Sequence, residues 1–294
     1  MVSIFIAGCK PNHKSKNDLI DLKIKGAVKS IIESEYNAEE KFGEYQKKEL
    51  SFKTITFFNE NGKLLSKKFD KNGLMAMGVE SSWRYDEYSN AIEETMFFEG
   101  KLNSKSISDY DKNNNLIEKK HYDNDGKLFA RKTYEYNLSN ELLETNEFDS
   151  KSQFNYKNRF KIDSSGNHTE WRYKSDGELI YKFVKEYNDL GDEICLTSYD
   201  KNSYEASDIH HVYAYEYDNN RNMIVSKMYD KNKELKESTT YEYYDFDNFG
   251  NWQRRISINL GGETLTIVNG LLKKEDNGDL KKVTILERQI EYFD

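Results

Sequence analysis

Proline is nearly absent from this 294-residue chain, which has one copy, and cysteine occurs only twice, at positions 9 and 195. With one proline and no Ser, Gly or Pro tract, no stretch has the composition of a flexible linker, so one continuous body is expected. Two cysteines do not make a disulfide framework. No run of about 18 apolar residues exists, which excludes a transmembrane helix. Positive charge is not in excess either. Lys plus Arg number 44 against 52 Asp plus Glu, giving a net charge of -8 with the signs interspersed. Phosphate backbones repel such a surface, and nucleic acid is not an expected partner. Aliphatic material is also scarce: 36% of residues are hydrophobic and 33% charged, with a mean hydropathy of -0.93. That leaves too little for a thick globular core.

What the chain has is aromatics: 22 Tyr, 16 Phe and 3 Trp, far too many for a disordered polymer. Large amphipathic rings bury their bodies while leaving a hydroxyl near water, which suits a thin sheet better than a ball. The aromatics recur in one phrase, an aromatic or apolar residue followed by an acid or Asn and a short polar turn. Tyr110, Tyr122, Tyr136, Phe148 and Ile162 follow one another at steps of 12, 14, 12 and 14, so two steps make a unit of about 26 residues. Each step holds one strand of about 7 to 9 residues and one turn, the spacing of an antiparallel meander. In "YDNDGKL", Asp123 accepts from the backbone ahead of it and Gly126 takes the left-handed conformation that closes a hairpin with a bulge. Related turns occur at Asn59 to Gly62, Asp70 to Gly73, Lys174 to Gly177 and Asn188 to Gly191, and Asn replaces Gly in "YDKNNNL" and "YDNNRNM". Alternation puts Tyr134 with Tyr136 on one face of their strand. Trp171 pairs likewise with Tyr173, Tyr213 with Tyr215 and Tyr217, and Tyr241 with Tyr243. The expected fold is all-β, an elongated antiparallel meander of repeated hairpins, open or curled.

From Phe58 to Asp294 this phrase resembles the tyrosine-aspartate (YD) repeats of Rhs-type proteins. The best match is "YEYYDFDNFGNWQRR", with Asp247, Gly250, Asn251 and Trp252. The resemblance implies successive hairpins in a long β-sheet, and "ILERQIEYFD" is similar to the closing strand of lipobox-bearing relatives.

The first residues carry a second resemblance. In "MVSIFIAGCK", Ile6-Ala7-Gly8-Cys9 is similar to a bacterial lipobox, in which small residues precede a cysteine that is lipidated after cleavage. Met1 to Gly8 is shorter than a usual signal peptide and has no preceding Lys or Arg, as expected if an in-frame start lies upstream. The domain organisation expected is therefore a truncated signal peptide over 1–8, a lipidated Cys9 with its tether over 9–18, and one repeat domain over 19–294. Within that domain, Leu19 to Ile32 reads as a leading strand. "NAEEKFGEYQKKEL", from Asn37, reads as a helix start or a loop. Residues 200 to 209 read as the longest interior loop, and turns are marked at 261–262, 269–270 and 276–279.

Motifs that carry chemistry are few. Asp111 to Leu116 lacks the sixth-position glycine of a calcium loop, and its twelfth position is Tyr122. His210 and His211 stand next to Asp208, but neighbours on a strand point to opposite faces, so no metal site is expected. No P-loop, dinucleotide fingerprint or nucleophile elbow occurs, and no cofactor is expected. Acids alternating with lysines on a strand are ordinarily solvated, whereas catalysis needs one carboxyl in an apolar pocket. The chain reads as a non-enzyme. Its candidate ligand-binding aromatics are Trp83, Trp171 and Trp252, each near an arginine (Arg84, Arg172, Arg254), with Tyr173, Tyr215 and Tyr217. The function expected is that of a lipoprotein of the bacterial envelope, most simply of the outer membrane facing periplasm or exterior. It is anchored to the membrane through Cys9 and displays a binding or structural module to a glycan or protein. The alternatives are a component of a polymorphic toxin system, either an Rhs-like fragment or an immunity protein, and a carbohydrate-active enzyme.

Overall fold

A computed structural model describes residues 17–70, 78–199, 209–261, 264–268, 271–275 and 282–294. Cys9 and its flanks, positions 71–73 of the Asp70 to Gly73 turn, residues 200–208, position 262 of the 261–262 turn, and the turns at 269–270 and 276–279 lie outside the described residues. The described residues begin with a single helical turn, α1 (Asp18–Asp21), and continue as β1 (Val28–Lys41), β2 (Glu44–Phe58), β3 (Leu64–Asp70), β4 (Val79–Tyr85), β5 (Ala91–Phe98), β6 (Lys101–Tyr110), β7 (Leu116–Asp123), β8 (Leu128–Tyr136), β9 (Leu142–Asp149) and β10 (Phe154–Ile162). It then forms β11 (His168–Lys174), β12 (Leu179–Tyr187), β13 (Glu193–Tyr199), β14 (Ile209–Tyr217), β15 (Met223–Asp230), β16 (Leu235–Phe246), β17 (Trp252–Gly261), β18 (Thr264–Val268), β19 (Leu271–Glu275) and β20 (Lys282–Tyr292).

The antiparallel meander is as the repeat implies, but it is neither an open nor a curled sheet. Eighteen strands close into a β-barrel, with each strand from β1 to β17 paired to the next, β17 paired to β20, and β20 paired to β1. The closing seam runs from Val28 opposite Tyr292 to Ala38 opposite Val283. β18 and β19 form a separate hairpin inserted before the last strand. Closure removes both free edges, which an elongated sheet would leave as rows of unpaired backbone groups.

The turns follow one chemical recipe. At Asp86, Asp111, Asn137, Asp163, Asn188, Asp218 and Asp247 the side-chain oxygen accepts the N–H groups two and four residues on. The residue three on is left-handed in each case, for example Gly191 (φ 77°) or Asn114 (φ 61°). Two connections are tighter: Phe42-Gly43 and Glu99-Gly100 both have positive φ at both positions, the two-residue turn whose twist matches the strands. "NAEEKFGEYQKKEL" is therefore strand, turn and strand, neither helix nor loop, because Phe42-Gly43 reverses the chain within two residues. Leu19 to Ile32 is not one strand either. Asn17 caps α1 by accepting the Leu19 N–H, and the β conformation starts only at Val28.

The short segment from Asn17 to Ala27 decides which face of the sheet is inside. Asp18 accepts the Leu64 N–H (2.7 Å) and donates its own N–H to Gly62 O, in the β2–β3 turn. Five residues on, Lys23 reaches Asp192 (2.8 Å) in the β12–β13 turn and the Arg221 carbonyl in the β14–β15 turn. Eight strands separate the β2–β3 and β12–β13 turns along the wall, a span of about 38 Å at ~4.8 Å per strand. A strap with a reach of about 25 Å can join them only across the concave side. The face it covers, carrying Phe58, Ile31, Tyr85 and Tyr217, is the inner one, and Leu19 and Ile24 of the strap form a buried cluster with Val28, Ile31 and Phe58. Asn251 ties the strap down: it accepts the Lys25 N–H, donates to the Lys25 carbonyl and to Tyr292 Oη, and sits in the turn begun by Asp247.

Asp192, 2% exposed, is held by Lys23 and Arg221. Burial pushes its carboxyl up, but hydrogen bonds from Arg221 and Lys23 outweigh this and leave its pKa below the usual carboxylate range. A group depressed in the folded state stabilises above its unfolded pKa and loses that contribution as pH falls through its folded pKa. Asp192→Asn is expected to cost about 2 kcal/mol at pH 7. In urea unfolding the difference from the parent should persist from pH 7 to 5 and shrink below about pH 4.

Candidate functional site on the inner wall

The repeated tyrosine has a structural task at the end where the chain enters and leaves the barrel, here the proximal end. Tyr85, Tyr110, Tyr136, Tyr217 and Tyr243 point inward and donate their hydroxyls to the carbonyls of Leu64, Ala91, Leu116, Glu193 and Met223, the first residues of the preceding strands (2.7 to 3.0 Å). Each clasp sits where a turn has left a strand start short of a ladder partner. Burial, with Asp192 as the next cause, pushes the Tyr217 phenol up to about 12, so it remains a donor at neutral pH. At the distal end the corresponding aromatics point outward and lie under cations: Arg131 over Phe148 (4.2 Å), Arg159 over Tyr173 (5.9 Å) and Lys182 over Tyr199 (4.2 Å).

Further along the inner wall, charges are paired between tyrosines. Lys132 and Arg172 converge on Glu147 (3.3 and 2.7 Å), and Arg172 also stacks on Tyr156. Asn158 and Tyr181 donate to Glu170 (2.8 and 3.0 Å), and Lys119 pairs with Glu94 (2.9 Å). His121 shares a hydrogen bond with Ser106, and burial lowers its pKa. A shallow pocket in the wall is lined by Phe160, His168, Glu170, Phe183, Lys185 and Tyr187, among others.

The densest group lies at the seam. Arg288 pairs with Glu33 (2.8 Å) across β20 and β1 and lies 3.5 Å over the Trp252 ring. Arg255 lies over both Trp252 (5.5 Å) and Tyr241 (5.3 Å), and Tyr243 packs on Trp252 (5.3 Å). Arg255 Nε and Ser257 Oγ, two residues apart, are buried and have no hydrogen-bond partner among the described residues. Glu35 shares this face, and burial raises its pKa against the opposing pull of Arg255.

The aromatics picked from sequence do not make one surface. Trp83, Tyr215, Tyr217 and Trp252 belong to the inner face, whereas Trp171 and Tyr173 are on the outer face, because Trp171 pairs with Arg159 and Lys182 while Arg172 pairs with Asn158 and Tyr181. Trp252 alone among the tryptophans is buried. Its cations are Arg255 and Arg288, not Arg254, which lies over Tyr244. Arg84 likewise turns away from Trp83 to pair with Glu93. Arg255, Arg288, Glu33 and Glu35 were not legible as a group. Alternation within "IESEY", "WQRRIS" and "ERQIEY" gives each residue a face, but only the closed wall brings the three segments together.

The outer face also carries paired charges. Arg84 and Lys105 share Glu93, Lys120 and Arg131 share Glu118, and Lys157 and Arg159 share Glu144, each group in mid-strand. A barrel wall in lipid needs an apolar outward band about 25 Å tall, and charges at that depth are costly. No helix among the described residues is long and apolar enough to cross a membrane, and no group of three potential metal ligands occurs among them.

No protein-family profile and no curated protein matches the chain. Among solved structures it is similar to a porin-like protein from Bacteroides uniformis ATCC 8492, with 13% identity, 90% of this chain and 96% of that chain covered, and a TM-score of 0.42. It is also similar to TcdB2-TccC3-Cdc42 (12% identity, 82% of this chain and 16% of that one, TM-score 0.25) and to TcdB2-TccC3-TEV (11%, 78% and 16%, TM-score 0.22). At these scores the likenesses carry no argument about fold or function.

Removing the guanidinium that joins Glu33 to Trp252 tests the seam. Arg288→Met is expected to destabilise the barrel by about 3 kcal/mol, because Glu33 loses its partner in a desolvated site. Denaturant unfolding followed by tryptophan emission reads both the loss and the changed surroundings of Trp252.

Proposed function

We propose that this chain is a lipid-tethered protein of the bacterial cell envelope and that its barrel is a non-catalytic binding or structural module. The observation that carries the binding role is the inner wall, where exposed and half-buried aromatics alternate with charges already paired to one another. Rings such as Trp83, Tyr181, Tyr213 and Tyr215 offer flat faces to a sugar or an extended protein segment, while the fixed ion pairs offer polar partners at low ordering cost. The tether is supported by the lipobox-like Ile6 to Cys9 and by the entry of the chain at one end of the barrel. The repeated aromatic and Asx phrase supports kinship with YD-repeat proteins. An ion-paired outer wall suits a barrel held beside a membrane, not one embedded in it.

Hydrolysis is a second reading with one observation in its favour. Glu35 is a carboxyl whose pKa is raised by burial, and Glu33 stands two residues away on the same face of β1 beside Trp252 and its arginines. Two outer-wall acids are shifted the other way: Glu93 is held below the usual carboxylate range chiefly by Lys105, and Glu118 chiefly by Lys120.

Two measurements test these readings. Mass spectrometry of the protein from its native membrane should show diacylglycerol on Cys9, and an unmodified thiol there removes the anchor. Oligosaccharides that bind on a glycan array should be recovered intact after prolonged incubation. Cleavage that disappears in Glu35→Gln would replace binding by catalysis.

A further inference from the structure

The two ends of the barrel differ in what they present at their turn tips. At the distal end four of the described turns have polar central residues: Asn124 and Asp125, Ser150 and Lys151, Ser175 and Asp176, Lys231 and Asn232. At the proximal end four of the eight turns hold an apolar or aromatic residue at these positions, Tyr88 (67% exposed), Leu138 (105%), Leu190 (66%) and Phe249 (49%), while Glu60-Asn61, Lys112-Asn113, Ser164-Ser165 and Asn219-Asn220 are polar; Ile20 and Leu22, in and just after α1, stand beside them. Phe249 also packs on Tyr292 (4.5 Å), whereas Tyr88, Leu138, Leu190, Ile20 and Leu22 are more than half exposed; together they ring the mouth that the strap crosses. Phe42 (103%), at the tip of the long β1–β2 hairpin, is the comparable exposed residue at the distal end.

We infer that the proximal end is a membrane-facing surface whose apolar turn tips rest in the interfacial layer of a bilayer. The inference builds on the lipid anchor proposed at Cys9. The seven residues between Cys9 and Asn17 span at most about 25 Å, and Asn17 lies at this end. A lipid on Cys9 therefore holds this mouth, and not the distal one, near the membrane. Single leucines and aromatics at separate tips are shallow anchors of the kind that sit at the headgroup boundary. The same rim carries exposed Asp21, Glu60, Glu87 and Asp189 against exposed Lys25 and Lys112, with Lys23 already paired to Asp192; anionic headgroups meet an acidic balance, so the surface suited to it is zwitterionic. In this pose the distal mouth opens away from the bilayer.

The full chain carrying Cys9→Ser, which cannot be acylated, separates this contact from the anchor. In flotation with phosphatidylethanolamine and phosphatidylcholine vesicles it should bind weakly, and addition of phosphatidylglycerol should lower the bound fraction. The double variant Leu138→Asp, Leu190→Asp should lose at least fivefold of that binding while keeping the far-UV circular dichroism and unfolding midpoint of the parent. Phe42→Asp should bind as the parent does. Absence of parent binding to the zwitterionic vesicles, or an equal loss in Phe42→Asp, overturns the membrane-facing end. Cys9 acylation is read independently by mass, so a missing lipid refutes the anchor without deciding the vesicle result.

Discussion

The pairing of the first strand with the last is the constraint on which the rest of the molecule depends. A single layer of hairpins rich in charge has no second layer to bury itself against, and both its edges would be open to other chains. Setting Val28 to Ala38 against Val283 to Tyr292 removes the edges and gives the sheet an inside. It also creates the seam where Glu33, Glu35, Arg255, Arg288 and Trp252 meet. Without closure these residues lie on strands at opposite ends of a long ribbon.

Closure also explains the division of labour among the aromatics. On the concave side, tyrosines at the proximal end find the carbonyls of neighbouring strand starts and fasten hairpin to hairpin. On the convex side, the distal aromatics have no such partner and are covered by Arg and Lys stems. One recurring phrase thus serves two ends and two faces, alternating with each turn. The strap adds a further fastening: Asp18, Lys23 and Lys25 join turns that are distant along the wall, through the buried Asp192 and Asn251. The fit of Asn251 to the strap, to Tyr292 and to Asp247 gives a physical reason for the phrase in which it occurs.

An inner wall of rings and paired charges, with an outer wall that also carries ion pairs, supports the proposed binding module. The proposed anchoring and display join two further features: entry of the chain at one mouth, and exposed apolar residues at four of the turn tips around it. Catalysis would draw on one corner of the seam only.

Local chemistry was determined by the sequence alone. An Asp or Asn followed three residues later by Gly or Asn dictates its turn because the acceptor and the left-handed residue act within five residues, and period-two alternation dictates which tyrosines share a face. Phe42-Gly43 was misread because a left-handed phenylalanine is uncommon and the charge around it imitates a helix start. Only the tertiary structure decided that the sheet closes, which face is concave, and hence that Trp171 and Tyr173 look outward while Trp252 and Tyr215 look inward. The reason is distance along the chain: the closing partners are some 250 residues apart, and no local periodicity encodes a pairing that depends on how far eighteen successive strands have turned.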